Sequence, residues 1–487
     1  MGDRVRTDPV PVLQKGEVTM GIIAGYAVPH PPMILPEIGR GEEKTIQPTI
    51  DAYRAVAAEI AALDPETIVV TTPHSVMYSD YFHISPGRGA YGDMSQFGAG
   101  SVQVNVAYDE EMVSLLCELA ERSGLRAGTL GERDKHIDHG TMIPLRFIEQ
   151  AYREAGKKPD YRVIRIGLSG LPLLDHYALG ILVQKAADDL GRRTVMAASG
   201  DLSHYLKETG PYGFHEEGPV YDERIMDTFR RGAFNELLRY PAALLEGAGE
   251  CGHRSFTIMA GAMDCTAVET CVFSHQDVTG VGYGVCSVHP TGYDASRNFG
   301  EQYVEEHDRY LAEKKAAEDP YVQLARMAVE KYVKEKKQLD EVPDSFPDEL
   351  FDRKAGVFVS LHLDGNLRGC IGTIAPVQDC IAEEIVSNGI SACSRDPRFD
   401  AVTEDELPYL EYSVDVMGEP EPVESKDQLD VKRYGVIVTS GARRGLLLPN
   451  LDGVKTVDQQ IDIARKKAGI GPKEKIRLER FEAVRHY

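Results

Sequence analysis

The chain has 487 residues, 42% hydrophobic and 27% charged, a composition of soluble globular protein long enough for two or three domains. Acidic residues outnumber basic ones 77 to 54, a formal charge of −23, which argues against a nucleic-acid partner and against an anionic membrane surface. No apolar run approaches the roughly 20 residues of a membrane helix, and the 8 cysteines contain no Cys-x-x-Cys pair, which excludes a dense disulfide framework and a zinc knuckle.

In chain order, residues 1–19 are charged, lack the apolar core of a signal peptide, and are expected to form a flexible extension on a cytoplasmic protein. Gly21–Pro29 is an apolar run ending at His30. Ile50, Tyr53, Val56, Ile60 and Leu63 recur at helical spacing, which predicts a helix over 49–63. Thr67–Thr72 is a β-branched strand ending at Pro73-His74. Tyr161–Leu168 and Thr194–Ser199 are further strands, the second running into Gly200-Asp201-Leu202-Ser203-His204. A helix is expected over about 221–240, a short helical run over Arg254–Met263, and two closing strands over Ala267–Phe273 and Gly280–Val288. Such alternation predicts an α/β domain over 20–290, a mostly parallel sheet flanked by helices. Residues 291–319 read as a linker helix around the charged stretch Glu301–Lys315. From Pro320 the pattern changes. A helix over 321–337 leads to alternating Val357, Val359, Leu361 and Leu363, the turn signal Asp364-Gly365-Asn366, a helix over 377–392 and a strand over Tyr409–Met417. This predicts a smaller α+β domain over 320–487.

Ligands of open α/β sheets bind beyond the carboxyl ends of the strands. His30, His74 and His204 each follow a predicted strand, and Glu250 lies in the turn before a helical run. Two histidines and a carboxylate form the facial set that leaves positions open on iron(II). A single histidine is ordinarily a surface or satisfied core residue, and the separations between these residues carry no ligand signature of their own.

The local motifs sharpen the reading. Val28-Pro29-His30-Pro31-Pro32, Thr72-Pro73-His74-Ser75, Asp138-His139-Gly140-Thr141 with the following Met142–Leu145, and Ser199–His204 together resemble the class III extradiol dioxygenases. The resemblance spans about 21–290, of the catalytic-subunit type. It implies His30, His74 and Glu250 as ligands of Fe(II), with Mn(II) or Zn(II) as alternatives. It also implies His204 as catalytic base and His139 as a second active-site histidine touching substrate. Cys251 adjoins Glu250 and matches a cysteine of the related Memo-like proteins. A hard carboxylate suits iron(II) and favours Glu250; a thiolate suits softer metals. The implied reaction is ring cleavage of a catechol-like aromatic with O2, His204 removing a catechol proton. Two other functions compete: oxygen-independent hydrolysis of a cyclic diketone-like ring on the same site, and a non-catalytic Memo-like metal protein. Asp201 is a candidate to orient His204 or cap the segment after it, and Tyr212 and His215 to line the substrate pocket.

Residues 320–487 resemble the AMME-syndrome candidate family through Leu367-Arg368-Gly369-Cys370-Ile371-Gly372-Thr373, supported by Asp396–Phe399 and Arg444–Asn450. Arg368 is a candidate to bind a carboxylate or phosphate and Cys370 a candidate nucleophile, against a glycine-bearing strand with a buried cysteine. The resemblances also imply a homodimer and a radical-SAM partner.

Overall fold

Six strands build the core of the N-terminal unit in the computed structural model: β1 (Ile22–Val28), β2 (Thr67–Thr72), β3 (Arg162–Gly167), β4 (Thr194–Ser199), β5 (Thr266–Gln276) and β6 (Tyr283–Tyr293). The structure describes residues 21–487 except 133, 340, 344, 364 and 452. The extension expected over 1–19 and Asp364 of the expected turn lie outside the described residues. The sheet order is β3-β2-β4-β1-β6-β5. The pairs β3–β2, β2–β4 and β4–β1 are parallel, and β6 and β5 join antiparallel at the edge. The mostly parallel α/β sheet expected from the sequence is therefore present.

Its strands are apolar on both faces because both faces are covered. Every residue of β2 and β4 is buried. Alternate side chains feed two separate cores. Ala24, Tyr26, Ile68, Val70 and Val195 join the helices α1 (Gln47–Leu63) and, further along the chain, His139–Glu154. Ile22, Val69, Met196 and Ala198 join the opposite core, beneath α2 (Glu110–Ser123) and the helices Leu173–Leu190, Glu217–Arg231 and His253–Gly261. These four helices are numbered here, in chain order, α3 (His139–Glu154), α4 (Leu173–Leu190), α5 (Glu217–Arg231) and α6 (His253–Gly261). The helix expected over 221–240 ends early, at Gly232 with φ 61°, and continues as a separate 3-10 turn, Phe234–Arg239.

The chain divides after Glu306 into two compact units. The charged helix around this division runs Phe299–Ala317. The second unit is α+β, with two antiparallel four-stranded sheets. One orders Asn366–Gly372, Val357–Leu363, Leu410–Met417 and Ala483–His486, and shares a core with helices Pro320–Glu335 and Ile381–Ser394. The other orders Glu421–Val423, Arg477–Phe481, Gly435–Ser440 and Arg443–Leu447 against helix Val457–Lys467. Among the described residues no helix is long and apolar enough to cross a membrane.

Candidate metal centre

The adjacent parallel strands β2, β4 and β1 end side by side, so the residues just beyond them meet. His30 follows β1, His74 follows β2, and Asp201 and His204 follow β4. A fourth chain segment, the turn before α6, packs directly on the end of β4. A Cβ on Gly200 would lie 2.1 Å from the Gly252 Cα, so this backbone contact requires glycine. That contact delivers Cys251.

Nε2 of His30 and Nε2 of His74 are 2.9 Å apart, and Cys251 Sγ is 3.6 Å from His30 Nε2. The ligand atoms of His30, His74 and Cys251 all lie within 4.8 Å of one another. Two nitrogens and a sulfur around one tetrahedral zinc-sized ion would stand about 3.3 Å (N to N) and about 3.6 Å (N to S) apart, from bond lengths of ~2.0–2.1 and ~2.3 Å. The residues present fit a metal.

Their surroundings prepare them for it. Ser199 Oγ donates to the Gly140 carbonyl at 2.6 Å and so accepts from His30 Nδ1 at 2.9 Å. This puts the His30 proton on Nδ1 and leaves Nε2 with a free lone pair. Burial holds the His30 imidazole well below its usual range, and the neighbouring His74, His139 and His204 push the same way. Burial also lowers His74, partly opposed by Asp138. Cys251 Sγ accepts the Asp201 amide at 3.2 Å, yet burial and the nearby Asp201 carboxyl keep the metal-free thiol protonated. A bound cation would reverse that balance.

Glu250 does not join this cluster. Its Oε2 accepts the His253 amide at 2.6 Å, at the start of α6. The expected preference for Glu250 over Cys251 is thus not what the geometry gives. The carboxylate is engaged by backbone amides that a helix terminus would otherwise leave unpaired, while the next side chain faces the histidines. Burial raises the Glu250 carboxyl to about 7.

His139 and His204 flank the cluster. The His139 ring lies 4.1 Å from His74 and 5.5 Å from His30, centroid to centroid. It opens α3, whose N-cap Asp138 accepts Thr141 N at 3.0 Å and Thr72 Oγ1 at 2.6 Å. One carboxylate therefore ties the strand end carrying His74 to the helix start carrying His139. Burial, with His74 adding to it, lowers His139 to about 4. The nearest ligand atoms of His204, Asp201 and Cys251 form a second group within 4.8 Å. Burial also lowers His204. At neutral pH these imidazoles are uncharged, able to bind a metal or take a proton.

Asp201 makes a contact the sequence does not suggest. Its Oδ1 accepts the His30 amide at 2.8 Å and so fixes the His30 backbone. Tyr212 stands at the rim, 61% exposed, its ring 5.3 Å from that of His204. His215 instead stacks on Tyr205 and faces the Gly247 carbonyl. Ser199 is the residue sequence reasoning missed. Its position as the first residue of the Ser199–His204 motif, at the strand's end, was the available signal.

In the second unit, Arg368 is spent on structure. Its guanidinium grips Glu406 at 2.7 and 3.1 Å and the Asp400 carbonyl at 2.8 Å, so its Nε–Nη2 fork is already occupied by a carboxylate. Cys370 is half-buried on a sheet strand, its Sγ accepting Ser360 Oγ–H at 3.3 Å and its amide donating to Asp396 at 2.9 Å. Among the described residues no histidine contacts its thiol.

Comparison with known proteins gives the following matches. Residues 24–286 match the family of the catalytic LigB subunit of aromatic ring-opening dioxygenase, and residues 322–486 match the AMMECR1 family. A Clostridium acetobutylicum protein is 39% identical over 474 residues, covering 96% of this chain and 99% of that protein. A Thermotoga maritima protein is 48% identical over 171 residues, 35% of this chain and 98% of its own. An uncharacterized protein from Pyrococcus horikoshii, of known crystal structure, is 33% identical, with TM-score 0.32, covering 34% of this chain and 88% of that one.

Proposed function

Because the chain belongs to the LigB family of aromatic ring-opening dioxygenase catalytic subunits, with an AMMECR1 domain fused behind it, we propose that its N-terminal unit is a mononuclear metal enzyme. It opens a small ring compound that presents two adjacent or 1,3-related oxygens to the metal. The convergence of His30, His74 and Cys251, with neutral His139 and His204 beside them, is the observation that carries this reading. The metal would be held by these three side chains and would act as a Lewis acid toward oxygens brought to it. His204, unprotonated at neutral pH, takes a proton from a substrate hydroxyl. His139, on a helix terminus anchored by Asp138, hydrogen-bonds the substrate and returns a proton to the opened ring. Tyr212 at the rim offers an aromatic face to a flat substrate.

Iron(II) with dioxygen is the version the family implies. The thiolate tilts the site toward zinc or another softer ion, and with it toward the hydrolytic version. The same thiolate favours a second reading, a Memo-like metal-binding domain without turnover. Cytoplasmic residence, a homodimer and a radical-SAM partner belong to the proposal on resemblance alone.

Elemental analysis of protein purified without oxygen, followed by oxygen uptake with a panel of catechols, tests the proposal. Iron with catechol-dependent uptake supports the oxidative version. Zinc without uptake but with ring opening of a cyclic diketone supports the hydrolytic one. Metal without either reaction leaves the Memo-like reading, and metal-free protein overturns the centre itself.

A further inference from the structure

The second unit contains a cleft of about 360 Å³, within the range of roughly 300–1,000 Å³ typical of small-molecule sites. It lies entirely within residues 310–487 and is independent of the metal reading. Its walls include three tyrosines, Tyr310, Tyr412 and Tyr487, together with Leu407 and Pro408. Its charged lining among the described residues is four cations, Lys314, Lys315, Arg326 and Arg485, against Glu318 and Glu411. In a chain of net charge −23 this is a local inversion.

Most of these charges are already spent. Arg326 is held by Glu318 at 2.7 Å, Arg485 by Asp415 at 2.8 Å, and Glu411 accepts the Tyr310 hydroxyl at 2.8 Å. Lys315 reaches Glu330 at 3.7 Å. Lys314 is left over. It forms no ion pair among the described residues, and its ammonium lies 5.6 Å from the Tyr310 ring centroid and 5.9 Å from that of Tyr487. The Lys314 ammonium is therefore the one cation of this lining, among the described residues, that no carboxylate holds.

We propose that this cleft binds a planar aromatic carboxylate, its ring lying among the tyrosines and its carboxylate paired with Lys314. Phosphate fits less well. Phosphate sites favour free guanidinium forks, and the two arginines here are both occupied by carboxylates.

The test titrates full-length protein with 2-naphthoate, its uncharged amide and inorganic phosphate, by calorimetry and by ligand-observed NMR. Saturable naphthoate binding is expected below about 1 mM, with the amide weaker by about tenfold, the worth of one charge-assisted contact. Lys314→Gln, a surface change, should weaken naphthoate by about tenfold. Circular dichroism checks that the variant folds. No saturation by about 10 mM, equal binding of acid and amide, or an unchanged Lys314→Gln would overturn the proposal. Preferential phosphate binding would overturn it too.

Discussion

The sharpest prediction separates Glu250 from its neighbour. Glu250→Gln keeps an oxygen that can accept the His253 amide, now held at 2.6 Å. It loses only the favourable charge at the start of α6, worth roughly 0.3–1 kcal/mol. Because burial already raises this carboxyl to about 7, part of even that loss is absent near neutral pH. Glu250→Ala removes the acceptor altogether and should cost about 1–2 kcal/mol, the usual price of a lost N-terminal cap. Neither change removes a ligand, so both variants should retain metal at wild-type stoichiometry. Cys251→Ser should behave in the opposite way. Its Sγ sits 3.6 Å from His30 Nε2, and removing mere outer-shell partners of a metal already weakens binding by roughly 10–100-fold. Loss of a direct ligand should therefore exceed about 100-fold, with little change in metal-free stability. Metal retained after dialysis against graded chelator, set beside thermal melts of the metal-free forms, reads both effects. If Glu250→Gln loses its metal while Cys251→Ser keeps it, the assignment of the third ligand is wrong.

Four further outcomes follow from the same geometry. His74→Ala should lose metal, whereas His204→Ala should keep it and lose turnover; turnover surviving in either would contradict the roles assigned. Gly140→Ala would place a Cβ 2.5 Å from Thr72 Oγ1 and 3.0 Å from Asp138 Oδ1, so it should cost about 1–3 kcal/mol and weaken metal binding by displacing His74; a wild-type melt and metal content would refute the tie. His176 is fully buried, donates Nδ1–H to the Pro172 carbonyl, and is lowered by burial from 6.5 to about 3. The unfolded chain takes a proton that the folded chain refuses, so stability present above pH 6.5 is lost as pH falls toward 3, on the order of 4 kcal/mol from this group; His176→Gln should flatten that part of the urea-stability profile, and an unchanged slope would count against it. Arg368→Lys should destabilise the second unit by about 1–3 kcal/mol through loss of the forked grip on Glu406, without changing small-anion binding; a selective binding defect in a fully stable variant would restore Arg368 as a ligand site.

The strands carrying the site were readable because each is a short buried run followed closely by a histidine: His30 after Val28, His74 after Thr72 and His204 after Ser199. Thr67–Thr72 and Thr194–Ser199 match the observed strands residue for residue. The antiparallel edge extends beyond its expectation, to Thr266–Gln276 and Tyr283–Tyr293. Its outer ends alternate with half-exposed polar residues, which weakens the apolar signal used to find them. The second sheet of the C-terminal unit was invisible. Gly435–Ser440 and Arg443–Leu447 pair across a tight turn, but the short edge Glu421–Val423 and the inner strand Arg477–Phe481 are partly exposed and rich in charge. Which of Glu250 and Cys251 faces the histidines could not be read from the sequence because neighbours in a turn point in different directions. Only the Gly200–Gly252 contact, distant in sequence, decides which one faces the histidines. The carboxylate that Arg368 grips could not be read for a related reason, since Glu406 is 38 residues away.

X-ray absorption spectroscopy of metal-loaded protein tests the central claim most directly. A ligand set of His30, His74 and Cys251 predicts one sulfur neighbour at about 2.3 Å beside nitrogen or oxygen neighbours at about 2.0–2.1 Å, with the sulfur shell gone in Cys251→Ser. A first shell of nitrogen and oxygen alone in the unmodified protein would contradict it.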